Sequence, residues 1–237
     1  MKNIINIVNE IDTTDFTFLI PSVAVGNVGQ LTIDLLISTY QFTKYATIWH
    51  PAILPSISGD PFDNNSTNIS TACELFINNN LKLIVMQLRS GIENKLAVPF
   101  FNTLKDNITN LGCKQILILT SAFAHELHNI NLSHFRYISN DQSIIDKLNS
   151  IDALPIEEVS IFGGGFATKL HSILQDSFKC SLIMKYSSEG DNVPDAVQFL
   201  EVITQVLQNF NEANKRQFAY PSSWKYTFGN PPPINIY

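Results

Sequence analysis

Apolar runs broken by glycine alternate with amphipathic stretches along the chain. Residues 16–25 are apolar at most positions, and Gly26 and Gly29 separate them from a helical stretch over 30–40. Short apolar runs bounded by turn residues are typical of buried strands, whereas a 3.6-residue apolar period is typical of helices. The pattern predicts further strands over 44–49, 71–78, 82–89, 115–120, 159–162 and 181–186, and further helices over 97–110, 143–148, 166–175 and 194–215.

These elements predict a single α/β domain with a mixed, largely parallel sheet that helices cover. Only a short polar link separates 71–78 from 82–89, which favours an antiparallel hairpin. The segment from Pro51 to Thr71 is rich in Pro, Asn and Ser, and we expect a mobile loop there. The domain is predicted to extend over 1–220, and a Pro-rich, aromatic tail over 221–237 follows it.

Composition excludes several classes of partner. The chain has 237 residues, of which 45% are hydrophobic and only 15% charged, against about 25% charged in an ordinary soluble protein. No apolar run approaches the roughly 20 residues that span a bilayer, and the N-terminus lacks the pattern of a signal peptide. With a net charge of -6 and no basic cluster, neither nucleic acid nor a membrane is an expected partner. We expect an intracellular protein.

The glycine turns resemble ligand-binding loops only loosely. Gly26-Asn27-Val28-Gly29 and Gly163-Gly164-Gly165 each stand between a predicted strand and a helix, where backbone N–H groups can bind phosphate. Neither matches the dinucleotide pattern GxGxxG or the phosphate-loop pattern GxxxxGK[ST]. Two interpretations stay open, a ligand site or a tight strand-to-helix turn.

The acidic segment before the last helix also allows two interpretations. Glu189 and Asp191 are close enough for acid–base chemistry or for a cation. Alternatively, Asp191 or Asn192 caps the helix that Pro194 begins, because carboxylates and proline are both favoured at a helix N-terminus.

Other reactive side chains form no recognisable site. The three histidines near 125–134 lack the HExxH spacing, which favours solvated loop residues. Ser121, Asp141 and His171 suit a catalytic triad only by residue type. Cys113 lies beside Lys114, which could lower its pKa, but a cysteine at the start of a strand is more often a buried apolar group, and the three cysteines are predicted to be reduced. We therefore predict no catalytic residue, no metal and no cofactor.

Two features suit a binding protein. The helix after Gly29 is apolar nearly all round, so either a partner covers it or it is fully internal. The tail ends in Ile234-Asn235-Ile236-Tyr237 after three prolines, a shape that suits either insertion into a pocket or a frayed terminus. The candidate partner-binding residues of the helix are Leu31, Ile33, Leu36, Ile37 and Tyr40.

Five segments together resemble the proteasome assembly chaperone 2 family, in that family's order. They are PSVAVGNVGQL (21–31), QLRS (87–90), GGG (163–165), SEGDNVPDA (188–196) and PSSW (221–224). The motif residues carried by this resemblance are Gly26, Asn27, Gly29, Gln30, Gly163, Gly164, Gly165, Glu189, Gly190, Asp191, Pro194, Asp195 and Trp224.

The resemblance implies a three-layer α/β/α fold and a non-enzymatic chaperone of the cytoplasm and nucleus. It implies a heterodimer with proteasome assembly chaperone 1 that holds proteasome α subunits, promotes α-ring assembly and prevents off-pathway α-ring dimers. It also implies that Ile236 and Tyr237 contact the α-ring, although the family's tail pattern has one more residue after the tyrosine. The alternatives are a nucleosidase- or hydrolase-like enzyme that uses the glycine turns with Glu189 or Asp191, and a structural subunit of another complex.

Overall fold

The fold is built on a nine-stranded sheet. The computed structural model describes residues 3–127, 129, 131–156, 161–210 and 216–226. Its strands are β1 (Ile5–Ile7), β2 (Thr17–Pro21), β3 (Thr43–Ile48), β4 (Ile57–Gly59), β5 (Ile69–Thr71), β6 (Cys73–Asn78), β7 (Leu83–Leu88), β8 (Gln115–Phe123), β9 (Phe135–Ser139), β10 (Leu154–Pro155) and β11 (Lys179–Ser187). The large sheet has the order β1-β3-β6-β7-β2-β8-β11-β9-β10, and β4 pairs with β5 separately.

Parallel pairing holds the centre of the sheet and antiparallel pairing holds most of its flanks. Strands β7, β2, β8 and β11 run parallel, whereas β1, β3, β6 and β7 pair antiparallel, as do β11 and β9. The short β10 adds in parallel to β9. The predicted mixed sheet and the predicted hairpin of β6 and β7 are both confirmed.

Helices cover both faces of the sheet. They are α1 (Val28–Tyr40), α2 (Ala97–Asn110), α3 (Gln142–Ser150), α4 (Ala167–Leu174) and α5 (Val193–Val206). Helices α1, α3 and α5 share one apolar core with the sheet, and α2 and α4 share the other. Residues of β2 alternate between these cores, with Leu19 in the first and Phe18 and Ile20 in the second, so the strand is buried on both faces. The expected three-layer α/β/α fold is confirmed, and no helix in the described ranges is long and apolar enough to cross a membrane.

The segment predicted as a mobile loop is instead a cover for the sheet. It contains the small sheet of β4 and β5, which Glu74 anchors to β6. The Glu74 carboxylate accepts hydrogen bonds from Lys44 Nζ at 2.7 Å, Thr71 N at 2.8 Å and Ser70 Oγ at 3.2 Å. The ring centre of Phe62 lies 5.6 Å from that of Phe76 in β6. These contacts, of which those of Lys44 and Phe62 are long-range, join the segment to the large sheet.

Several predicted elements differ from those of the structure. Helix α5 ends at Val206, because Leu207 adopts an extended backbone and Asn209 Nδ2 donates to Leu81 O at 2.5 Å; 211–215 lie outside the described residues. Of the predicted strand 159–162, the first two residues lie outside the described ranges, and the other two are not in a strand. The predicted elements do not include strands β1, β4, β9 and β10.

The described start of the predicted tail packs on the domain. Ser223 N donates to Pro61 O at 3.0 Å, and Ser222 Oγ donates to the same oxygen at 3.2 Å. Nearby, Ala219 N donates to Thr39 Oγ1 of α1 at 3.1 Å. The packed domain therefore extends at least to these serines, a few residues past the predicted boundary.

Asp141 caps α3. Its carboxylate accepts hydrogen bonds from Ser143 N at 3.1 Å and from Gln115 Nε2 at 3.0 Å. Burial opposes ionisation, but the hydrogen bonds from Ser143 and Gln115 outweigh it and hold the pKa of this carboxyl below its ordinary value of 3.8. The ionised Asp141 carboxylate thus stabilises the folded state at pH values above 3.8.

We expect Asp141→Ala to lower the free energy of unfolding by about 1 kcal/mol at neutral pH, because it removes the helix cap. The pKa of Asp141 is lower in the folded state than in the unfolded state, so its contribution to stability disappears as the pH falls through the folded-state pKa. The stability difference between Asp141→Ala and the unmodified protein should therefore shrink at acid pH. Urea denaturation across pH measures it. Asp141→Asn is the control, since asparagine also caps helices. If the stability difference between the unmodified protein and Asp141→Ala persisted at acid pH, the assignment would be contradicted.

Candidate functional site

The motif segments meet at one edge of the sheet, where the parallel strands end. The helix after β2 covers one face and the helix after the neighbouring β7 covers the other, an arrangement that opens the ligand crevice of many α/β proteins. The segments 22–30, 87–90, 163–165 and 187–195 all lie at this carboxyl edge. The candidate site is therefore this edge.

The chain's own atoms fill the glycine turns. Gly165 has φ +59°, and a Cβ there would lie 2.0 Å from Val23 O; a Cβ on Gly26 would lie 2.6 Å from the Asn192 side chain. The peptide carbonyl of Gly164 accepts hydrogen bonds from Ser22 Oγ at 3.0 Å and Thr120 Oγ1 at 2.9 Å. The turns thus bring backbone segments into direct contact, which supports the tight-turn interpretation over a phosphate cradle.

A buried polar cluster joins α1 to the end of β7. Arg89 donates to the Asp34 carboxylate from Nη1 at 3.2 Å and from Nη2 at 2.8 Å, and Gln87 Nε2 also donates to it. Gln30 Nε2 donates to Leu88 O at 2.6 Å. Burial raises the pKa of Asp34, and the Arg89 guanidinium acts against that rise. The segments GNVGQL and QLRS are thus in contact, and they fix α1 against the sheet.

The acidic segment is anchored from beneath. Lys185 of β11, whose side chain is only 4% exposed, forms an ion pair with Asp195. Asn192 Nδ2 donates to Asp195 Oδ2 at 2.9 Å and to Ser188 O at 2.7 Å. Asp191 Oδ1 accepts from Val193 N, the first residue of α5, at 3.0 Å, whereas the N-cap residue Asn192 makes no side-chain capping bond. These contacts hold the exposed turn of Glu189 and Gly190 in place.

The partner-binding prediction for α1 needs correction. Four of its five side chains are at most 6% exposed, because the sheet and α5 of the same chain cover them. These four are Ile33, Leu36, Ile37 and Tyr40. Leu31 is half-buried. The helix is apolar nearly all round because it is internal, so a surface for a partner lies elsewhere.

Trp224 is half-buried against the core that contains α1, and its ring centre lies 6.0 Å from that of Tyr220. The other predicted tail contacts, Ile234, Asn235, Ile236 and Tyr237, lie outside the described residues.

The remaining reactive groups have separate structural contacts. Ser121 Oγ donates to Val25 O at 2.5 Å, Asp141 caps α3, and His171 is buried in α4, so the three do not form a triad. Burial raises the pKa of Cys113 to about 12, which fits an inert thiol. Across the described ranges, no three His, Cys, Asp or Glu side chains are grouped so as to hold a metal ion.

A protein-family model described as the PAC2 family matches residues 18–212, most of the chain. The chain belongs to the PAC2 family. Among curated proteins, it is 31% identical to mouse and 29% identical to human "Proteasome assembly chaperone 2", in each case over 92% of this chain and 94% of the relative. The protein of that name from Nematostella vectensis is 25% identical over 86% of this chain and 94% of its own.

Solved structures show the same PAC2-family fold. Pyrococcus furiosus PbaA, described as an archaeal homolog of proteasome-assembly chaperone, superposes with a TM-score of 0.69 at 14% identity, covering 89% of each chain. PbaB of the same organism, described as an archaeal proteasome activator, gives a TM-score of 0.64 at 15% identity over 86% of this chain and 88% of its own. At such identities the likeness concerns the fold alone.

The sequence interpretation missed the partners of the buried charges in this PAC2-family chain. Asp34 stands in an apolar helix and Lys185 in an apolar strand. A charge within a buried pattern requires a nearby counter-charge, because an unpaired buried ion is strongly destabilising. That signal predicts that partners exist, although it does not identify Arg89 and Asp195.

Proposed function

We propose that this chain is a proteasome assembly chaperone that acts by binding other proteins and not by catalysis. The observation that carries the proposal is the extent of the match, in which 92% of the chain aligns with 94% of the mouse and human relatives of that name. Fold alone would not support a function, since one fold hosts many activities.

The filled glycine turns support the non-catalytic part of the proposal. A nucleosidase- or hydrolase-like enzyme would need open glycine turns to hold its ligand. The space at Gly26 is filled by Asn192, and the space at Gly165 is filled by Val23. The acidic pair of that alternative, Glu189 and Asp191, lies on an exposed turn, where Asp191 accepts a hydrogen bond from Val193 N at the start of α5. An increase in melting temperature with phosphate or a nucleoside would contradict the proposal, because a ligand that binds the native state stabilises it.

In this proposal the partner is proteasome assembly chaperone 1, and the heterodimer holds proteasome α subunits during α-ring assembly and prevents off-pathway α-ring dimers. The tail from Ile234 to Tyr237 provides a contact with the α-ring. The proposed chaperone acts in the cytoplasm and nucleus.

An exposed apolar group offers a surface for the sister chaperone. Where the loop after β3 meets the start of α2, four large apolar side chains are 37–65% exposed, and we name them the Trp49 patch: Trp49, Leu54, Leu96 and Val98. Leu54 N donates to Gly91 O at 3.1 Å, and Glu93 N donates to Ala52 O at 2.7 Å, so the two loops are held side by side. We infer that these side chains form one contiguous patch, and contiguous apolar patches mark protein interfaces.

The test is a native pull-down of the tagged chain from its own cells, with the captured proteins identified by mass spectrometry. We expect proteasome assembly chaperone 1 and proteasome α subunits. In Leu54→Asp/Val98→Asp, recovery of proteasome assembly chaperone 1 should fall at least about tenfold, because the buried charges would have no partner.

Val8→Asp is the matched control, since Val8 is 63% exposed and follows β1 at the end of the sheet opposite the carboxyl edge; it should capture both partners normally. Capture of neither partner by the unmodified chain would refute the proposed function. Normal capture by the double variant would refute only the assignment of the Trp49 patch.

A further inference from the structure

A cavity of about 320 Å³ lies where β8, β9, β10 and β11 meet the carboxyl edge, apart from the Trp49 patch. Most of its walls are apolar side chains, contributed by Ala122, Leu127, Leu154, Ile156, Ile161 and Met184. Its size and composition suit one apolar side chain together with the backbone that carries it.

One cation lines this apolar cavity. Arg136 Nη1 donates to Phe135 O at 2.9 Å and also to Ser133 O, and the guanidinium carbon lies 5.4 Å from the centre of the Tyr186 ring. Within the described ranges, no carboxylate lies within 4.0 Å of the guanidinium, and its Nε and Nη2 donate to no described group. The side of the guanidinium formed by Nε and Nη2 is a fork that matches the two oxygens of a carboxylate.

Glu126 is the opposing charge in the lining. Its carboxylate lies 3.3 Å from His125 Nε2, and its side chain is 37% exposed, so it lies at the open part of the cavity. An anion is attracted by Arg136 and repelled by Glu126. A bound carboxylate must therefore lie at the arginine.

The rim extends the apolar surface beyond the cavity. Phe162 is 60% exposed and Leu132 is 44% exposed, and both line the opening. A small acid would leave these side chains in water, whereas a polypeptide segment would cover them. We propose that this cavity binds the C-terminal apolar residue of a polypeptide, with its carboxylate on Arg136 and its side chain in the cavity. The proposal does not depend on the chaperone function.

Calorimetric titration of the full chain with three probes tests the proposal. The probes are the peptide Ser-Gly-Ser-Phe-Leu, the same peptide with a C-terminal amide, and N-acetyl-leucine. The free-acid peptide should bind at least about tenfold more tightly than the amide, because a charge-assisted bidentate contact is lost in the amide. It should also bind more tightly than N-acetyl-leucine, which cannot reach the rim.

Variants then assign the contact to the arginine. Arg136→Gln should weaken binding of the acid about tenfold and leave the amide unchanged, and Glu126→Gln should strengthen binding of the acid. Arg216→Gln, a change at an exposed arginine, is the matched control and should have no effect.

Equal binding of acid and amide, or no binding of either, would overturn the proposal. N-acetyl-leucine that binds as tightly as the peptide would overturn the assignment to a polypeptide end. Should Arg136→Gln fail to fold, the acid–amide comparison on the unmodified chain and the Glu126→Gln result decide.

Discussion

Replacing Gly165 with alanine should lower the free energy of unfolding by about 3–5 kcal/mol, enough to unfold many domains of this size. Two penalties combine. The residue has φ +59°, where L side chains are strained, and the added Cβ would lie 2.0 Å from Val23 O, a backbone atom that cannot move aside alone. Urea denaturation followed by circular dichroism measures the change.

Gly59→Ala is the matched control for this substitution. Nothing lies within 4 Å of a Cβ at Gly59, and its φ is ordinary, so stability should stay within about 0.5 kcal/mol of the unmodified chain. A Gly165→Ala variant as stable as this control would contradict the close contact between the GGG turn and the segment after β2.

The second large effect concerns the buried ion pair of α1. Arg89→Met should lower the free energy of unfolding by about 3–5 kcal/mol at neutral pH, because it leaves the Asp34 carboxylate, 8% exposed, without its cation. The double variant Asp34→Leu/Arg89→Met is the control. It should be more stable than the single variant, since it leaves no buried unpaired charge.

The pH dependence of Arg89→Met has a definite sign. Burial raises the folded-state pKa of Asp34 above its ordinary value of 3.8, so the ionised form is disfavoured in the folded state. The free energy of unfolding therefore falls as the pH rises from 3.8 to the folded-state pKa. Without Arg89 the folded pKa rises further. The loss in Arg89→Met should therefore be largest at neutral pH and shrink in mild acid, where Asp34 can take up a proton; a loss that stays constant with pH would contradict this account.

Much of the fold follows from apolar periodicity alone. Helix α2 is predicted over its observed range, and the central strands β2, β8 and β11 are found because both of their faces are buried. Strand β9 was missed because most of its residues are only half-buried, which weakens the apolar signal. The pairing of β4 with β5 depends on Glu74, whose contacts are partly non-local.

For the candidate site, the sequence predicts that groups are covered but not which residues cover them. The sequence indicates that α1 is covered on several sides, but periodicity cannot say whether the cover belongs to the same chain, and here it is largely α5. Likewise, a glycine turn indicates that another group approaches the backbone closely, but the sequence does not show which residue that group belongs to. The atom that approaches Gly165 belongs to Val23, far away in sequence.

The packed glycine turns have a consequence for the thermodynamics of association. In many enzymes, mobile loops close over a substrate. Here Val25 N bonds to Gly163 O at 3.0 Å and Phe166 N bonds to Ser22 Oγ at 3.2 Å, so the loops are already fixed against each other. A surface that is ordered before association loses little conformational entropy when a partner binds, so more of the contact energy remains available as affinity.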